Sequence, residues 1–428
     1  MTALMAEHEG EGERERERAR TRAAHAKRLH STVEEPAEYG PNPLRLSGKD
    51  WLAVAVVLTG AFLVVFKGWP KLETISWDEK QVSLSQVSTS QGVASPATEN
   101  PAEPVVHHVG RTGPADYRVP YRLSNDFWSY SRWCESAAAK YPVLVVGDSV
   151  IWGHYVDSRD TLPQCLSRLA GEDRYANLGL SGLHDLALLG LLKYHGNAIA
   201  GKKVLLHFDP LWMTTPDQDL QGDKENQFQY EELAPQFSLS LKCYRADTET
   251  RLTRYVGQHT PLTTFTTHLL ACYFDNDNVP EWTLSHPYVS PWRAVTFDVP
   301  WSSEPVASAQ VWSKKIKTPA VFPWVMPSES RQWGFFRDTV ALLQSRNNDV
   351  CVLVGPFNPH SLTPESRQRY RALMEEVVAQ LIANGVPHFL VPDLPSEEYG
   401  DHNHPLKQGY ARIAEALYND PSFKAWSK

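Results

Sequence analysis

Two short stretches, far apart in the chain, carry the residue types of acyl-transfer chemistry. Gly147-Asp148-Ser149 presents a serine directly after the apolar run Val143-Leu144-Val145-Val146, and Asp401-His402-Asn403-His404 sets a carboxylate three residues before an imidazole. A serine becomes a nucleophile when a base takes its proton and a third group holds that base in one tautomer. Side chains at i and i+3 of one turn face the same side. Asp401 can therefore orient His404, and His404 can take the proton of Ser149. The same four residues also read as a metal cluster, but two histidines separated by a single residue, with no other clustered ligand, make that the weaker reading. His107 and His108 stand in a Ser- and Pro-rich stretch and read as solvated side chains. No metal or cofactor is expected.

The elements that must position these residues show as an alternation of apolar runs and helical patterns. A short, continuous run such as 143–146 suits a strand covered on both faces, and Gly147 permits a sharp turn after it. Further strands are predicted over 175–182, 202–210, 349–359 and 386–393, and helices over 160–171, 184–197, 331–346, 364–385 and 409–419. The helix over 364–385 is the clearest. Tyr370, Leu373, Met374, Val377, Val378, Leu381 and Ile382 recur at helical spacing, between Pro364 and Gly385. The alternation predicts a parallel sheet with helices on both faces, a three-layer αβα sandwich. Ligands of such sheets bind at the carboxyl ends of the strands. There the turns are polar or glycine-bearing: Gly147 to Ser149, Asn177 to Gly182, Asp209-Pro210, Asn358-Pro359-His360 and Asp401 to His404. A stretch from about 213 to 330 breaks the pattern and reads as an insertion rich in Pro and Trp (Trp282, Trp292, Trp301, Trp312, Trp324). Most of these rings are expected in a small core, with others free to line a groove for sugar rings.

In three blocks the chain resembles the SGNH (GDSL-type) hydrolases. GDSVIWGHYVDSRDTLPQCLSRL is similar to the family's serine block with its following helix, NLGLSG to its second block, and DHNHPLKQGY to its last, in the right order between about 140 and 419. The resemblance implies a flavodoxin-like sandwich in which Ser149 is the nucleophile, His404 the base and Asp401 its orienter. It also implies an oxyanion hole built from the backbone N–H groups of Ser149 and Gly182. A further family block, between the second and the last, is matched here by Leu206-His207-Phe208-Asp209-Pro210 and departs from the family. Asp209 stands where an Asn side chain usually donates to the oxyanion, and an ionised carboxylate cannot donate. The side-chain donor is then a protonated Asp209 or Asn358, or the site is slowed, since one such donor is worth ~10²–10³ in rate.

Composition sets the surroundings. A net charge of −8 argues against a general nucleic-acid surface. The five cysteines, Cys134, Cys165, Cys243, Cys272 and Cys351, form no CxxC pair, so zinc-finger ligation has no support. One or two disulfides are open to an exported domain. Residues 1–50 read as a disordered charged tail, 51–69 as a membrane-spanning signal-anchor flanked by Trp51 and Trp69, 70–115 as a flexible tether, and 116–428 as the α/β domain. The signal-anchor reading places that domain outside the inner membrane, on the periplasmic or extracellular side.

Two classes of function follow. The first is a membrane-anchored esterase or O-acyltransferase that works on an acylated glycan or envelope polymer through an acyl-serine, beside a membrane-embedded acyltransferase as the resemblance suggests. The second is an SGNH-fold glycan-binding or scaffold protein with weak or no catalysis, for which Asp209 speaks. The intact Ser149, His404 and Asp401 favour the first.

Overall fold

The computed structural model describes residues 116–224, 229–295, 305 and 307–428. The tail, the expected membrane span and the tether lie outside these residues. Among the described residues no helix is long and apolar enough to cross a membrane.

Five parallel strands form one sheet: β1 (Val143–Gly147), β2 (Tyr175–Gly179), β3 (Lys203–Phe208), β4 (Asp349–Val354) and β5 (His388–Leu390). Their order is β2-β1-β3-β4-β5, which is compatible with a flavodoxin-like fold. The strands are apolar throughout because both faces are covered. Successive side chains alternate between two cores. Leu144, Val146, Val204, Leu206, Phe208 and Val352 pack on one face, and Val143, Val145, Leu205, Cys351 and Leu353 on the other.

The first face is covered by α1 (Phe127–Lys140), α4 (Asp185–His195), α8 (Arg331–Ser345) and α9 (Pro364–Ala383). The second is covered by α3 (Leu162–Ala170), α10 (Lys407–Asn419) and α11 (Pro421–Ser427). A single-turn helix, α2 (Ser149–Trp152), follows β1 directly. The insertion contributes α5 (Thr248–His259), α6 (Pro261–Tyr273) and α7 (Val279–Ser285), together with the single turns Pro291–Ala294 and Trp312–Lys315. Its rings are mostly structural. Trp282 and Trp324 are buried, and Trp312 donates from its indole to Ser396 Oγ at 3.1 Å. Trp301 and the Trp292 side chain lie outside the described residues. All five cysteines are free thiols, so neither open disulfide forms.

Candidate active site

Ser149 owes its position to the way a very short helix is held at both ends. Asp148 caps α2, its carboxylate accepting from Val150 N at 2.9 Å. Gly153 N donates to Ser149 O at 2.9 Å, but the carbonyls that follow have no helical partner, and side chains from elsewhere take them up. Tyr410 donates to Val150 O at 2.6 Å, Asn177 Nδ2 to Ile151 O at 2.9 Å, and Arg118 to the carbonyls of Trp152 and Gly153 at 2.9 Å each. Gly153 has φ +93°, and a Cβ there would also meet Thr161 Cγ2 at 2.6 Å. Gly147 is required for a different reason: a Cβ there would stand 2.7 Å from His207 Cβ and 2.6 Å from Ile151 Cγ1. The serine turn is therefore pressed onto the end of β3, at the β1/β3 reversal of strand order where such sheets bind ligands.

His404 reaches Ser149 from the other side. The Ser149 hydroxyl donates to His404 Nε2 at 2.8 Å. Nδ1–H of the same ring faces both Asp401 oxygens, at 2.9 and 2.8 Å. The backbone amides of Asn403 and His404 also donate to Asp401 Oδ1, at 3.1 and 2.9 Å. Burial pushes the Asp401 carboxyl up. The His404 imidazole and these amides more than reverse that and hold it well below the usual carboxylate range, so it stays ionised. Ser149 and His404 are both buried, at 8% and 9% exposure, which keeps bulk water from competing for the pair.

Asp209 and Asn358, the two candidate side-chain donors, are both buried and bonded inward. Asp209 Oδ1 accepts from Leu211 N at 2.9 Å, and its Oδ2 accepts from Asn403 Nδ2 at 2.6 Å. Burial first, and the Asp148 carboxylate second, push the Asp209 carboxyl well above its ordinary range, so it keeps its proton and bonds to Asp148. Asp148 goes the other way. Burial raises it, but the His207 imidazole, 3.1 Å away, and hydrogen bonds from Asp209 and Val150 bring it down to about 2. Asn358 Nδ2 donates to Asp401 O at 3.0 Å, and Asn358 N donates to His402 O at 2.7 Å. Both residues pin the 401–404 turn that carries the base. Gly182 lies on the turn after β2 and lines a cleft of about 430 Å³ with Tyr121, Arg122, Asn125, Gln229 and Tyr230.

No protein-family model matches this chain, and the search of curated proteins finds no match.

Several residues beside the site carry no sequence signal. Tyr155 donates to Asp401 Oδ2 at 2.9 Å, and Lys315, from the end of the insertion, donates to the Tyr155 hydroxyl at 3.2 Å. His154 stacks on His404 with ring centroids 4.8 Å apart. Burial and the neighbouring His404 hold His154 down to about 4, so a neutral ring lies against the base. His402, the other histidine of the motif, turns away to bond Ser361 Oγ at 2.8 Å. That geometry separates it from His404 and leaves the metal reading of the motif without a ligand set. Only the short spacing to Ser149 would have directed attention to His154 and Tyr155.

Proposed function

We propose that this chain is a serine hydrolase or O-acyltransferase of the SGNH type, held to a membrane by residues 51–69 and acting on an acylated glycan or envelope polymer. One observation carries the reading: His404 uses opposite ring nitrogens to meet Ser149 Oγ at 2.8 Å and Asp401 Oδ2 at 2.8 Å. That is the arrangement a general base needs. The strand order and the position of Ser149 at the end of β1 agree with the SGNH resemblance.

In this reading Ser149 Oγ attacks an ester carbonyl while His404 Nε2 takes its proton. The tetrahedral intermediate expels the alcohol, which receives that proton, and leaves an acyl-serine. A water or a sugar hydroxyl then attacks the acyl carbonyl while His404 takes its proton; the bond to Ser149 Oγ breaks, Ser149 regains that proton from His404, and the acyl group leaves on the attacking oxygen. Asp401 stabilises the imidazolium at each step. The N–H of Ser149, a free donor at the start of α2, and that of Gly182 receive the oxyanion. Arg122, Asn125 and Gln229 in the cleft suit a substrate rich in hydroxyls.

A second reading has one observation behind it. Asp209 and Asn358 are both tied into the base-bearing turn, which leaves the oxyanion hole to backbone donors. A scaffold that binds glycan with little turnover fits that. A fluorophosphonate probe separates the two. The enzyme reading expects stoichiometric labelling of Ser149 that vanishes in His404→Ala; an unlabelled, folded wild-type protein supports the scaffold.

A further inference from the structure

Away from the serine site, three ligand-type atoms from two distant parts of the chain meet at one point. Asp126, the cap of α1, has its Oδ2 2.7 Å from His268 Nδ1. Cys272 Sγ lies 3.4 Å from the same oxygen and 3.3 Å from the same nitrogen. His268 and Cys272 stand at i and i+4 on α6, so their side chains share one face of that helix. Among the described residues this is the one group of three or more His, Cys, Asp or Glu side chains whose ligand atoms cluster, all within 4.8 Å of one another.

The way the ring is used argues against a nucleophilic triad. A Cys-His-Asp relay needs the thiol on one imidazole nitrogen and the carboxylate on the other. Here both converge on Nδ1. We propose that Asp126, His268 and Cys272 form a binding site for a zinc ion that fastens the insertion helix α6 to the start of α1. Tetrahedral zinc with N, O and S ligands at about 2.0–2.3 Å separates those atoms by about 3.3–3.6 Å. To take it, the carboxylate and imidazole atoms, now 2.7 Å apart, must open by about 0.6 Å, and the sulfur contacts need change by only a few tenths of an ångström. A thiolate, a carboxylate and a neutral imidazole leave the buried assembly uncharged around a dication, which is how interiors tolerate such charges. Two supports are already in place. Ser129 orients the carboxylate, its N–H donating to Asp126 Oδ1 at 3.0 Å and its hydroxyl to Oδ2 at 2.7 Å. The Tyr117 hydroxyl is buried without a hydrogen-bond partner and lies close enough to Asp126 and Cys272 to feel both charges. A water in the fourth tetrahedral position would give it one.

The test uses the full chain and does not depend on the serine chemistry. After incubation with zinc sulfate and gel filtration, metal analysis should find one zinc per chain. Zinc at 100-fold its Kd should raise Tm by roughly 5 °C or more. Cobalt in its place should give a thiolate charge-transfer band that Cys272→Ser removes. His268→Gln should abolish zinc retention and the Tm rise, while Ser149 labelling by a fluorophosphonate stays at the wild-type level. One readout needs no variant. Cys272 is the one cysteine not fully buried, and zinc should slow its alkylation at least tenfold. No retained zinc, an unchanged alkylation rate, or zinc retained equally by Cys272→Ser and His268→Gln would overturn the site.

Discussion

His404 and His268 each meet a carboxylate and a nucleophilic atom, and they do so in opposite ways. His404 spans its partners, Asp401 on Nδ1 and Ser149 on Nε2. His268 gathers its partners, Asp126 and Cys272, on Nδ1 alone. Across the first ring a proton arriving at one nitrogen is stabilised by the carboxylate at the other. Around the second nitrogen no such passage exists, and the three ligand-type atoms crowd together at one point. Similar residue types thus give a proposed proton-transfer device in one place and a proposed cation seat in the other, and the ring nitrogens decide which.

The most severe break falls on the first cluster. Ser149→Ala should lower kcat for a small aryl ester by ~10⁴–10⁶, read by initial rates. Retention of activity within tenfold would remove Ser149 from the nucleophile role. Next comes a matched pair. Asp401→Asn reverses the hydrogen-bonding pattern at Nδ1 and should cost ~10³–10⁴ in kcat, whereas Asp126→Asn should leave kcat within about threefold and abolish zinc retention. Equal kinetic losses in the two variants would mean the clusters are not independent. Tyr155→Phe removes one donor from an ionised carboxylate. A bond of that kind is worth about 1.5 kcal/mol, so kcat should fall about tenfold with KM little changed.

The gentlest effect concerns histidines outside both clusters. Burial holds His184 and His195 down to about 4. Unfolded histidines titrate near 6.5, so between about pH 6.5 and 4 the unfolded chain binds more protons. The stability these neutral rings contribute is present above pH 6.5 and is lost as pH falls through that window. His184 has a further reason to stay neutral, since its Nδ1 accepts from Ala187 N at 3.2 Å at the start of α4. Tm measured from pH 7 to 4.5 should fall, and His195→Gln should flatten the fall. A Tm independent of pH over that range would contradict the assignment.

The sheet was legible in the sequence because a doubly covered strand is apolar at every position, and runs such as 143–146 have no other explanation at that length. All five predicted strands appear; the first runs one residue further, to Gly147, and the other four are shorter than expected, because the polar residues at their carboxyl ends belong to the turns that carry the site. The helix over Pro364–Ala383 also appears, but Ile382 is 64% exposed. At about 100° per residue it has drifted some 120° round from Tyr370, so an apolar residue at nominal helical spacing no longer faced the core. The helix Phe127–Lys140 was missed, although Phe127, Tyr130, Trp133, Cys134, Ala137 and Ala138 recur at helical spacing on its buried face. Ser149, His404 and Asp401 were readable because motif and spacing coincide. The purpose of Asp209 was not: replacement of an expected donor reads as a loss until its bond to Asn403 is seen. The Asp126 cluster was invisible for a plainer reason, since 142 residues separate Asp126 from His268.

A similar distance in the chain has a consequence in time. Ser149 and its base are 255 residues apart. At ribosomal rates of about 5–20 residues per second, the serine emerges roughly 13–50 s before His404 is made. During that interval Asp148, Asn177 and the Arg118 clamp are already synthesised, so the turn can take shape with its hydroxyl still inert. In the proposed mechanism the serine is armed only by residues 401–404, made after β4 and most of the covering helices. A truncated product ending before residue 401 would carry a shaped but silent serine.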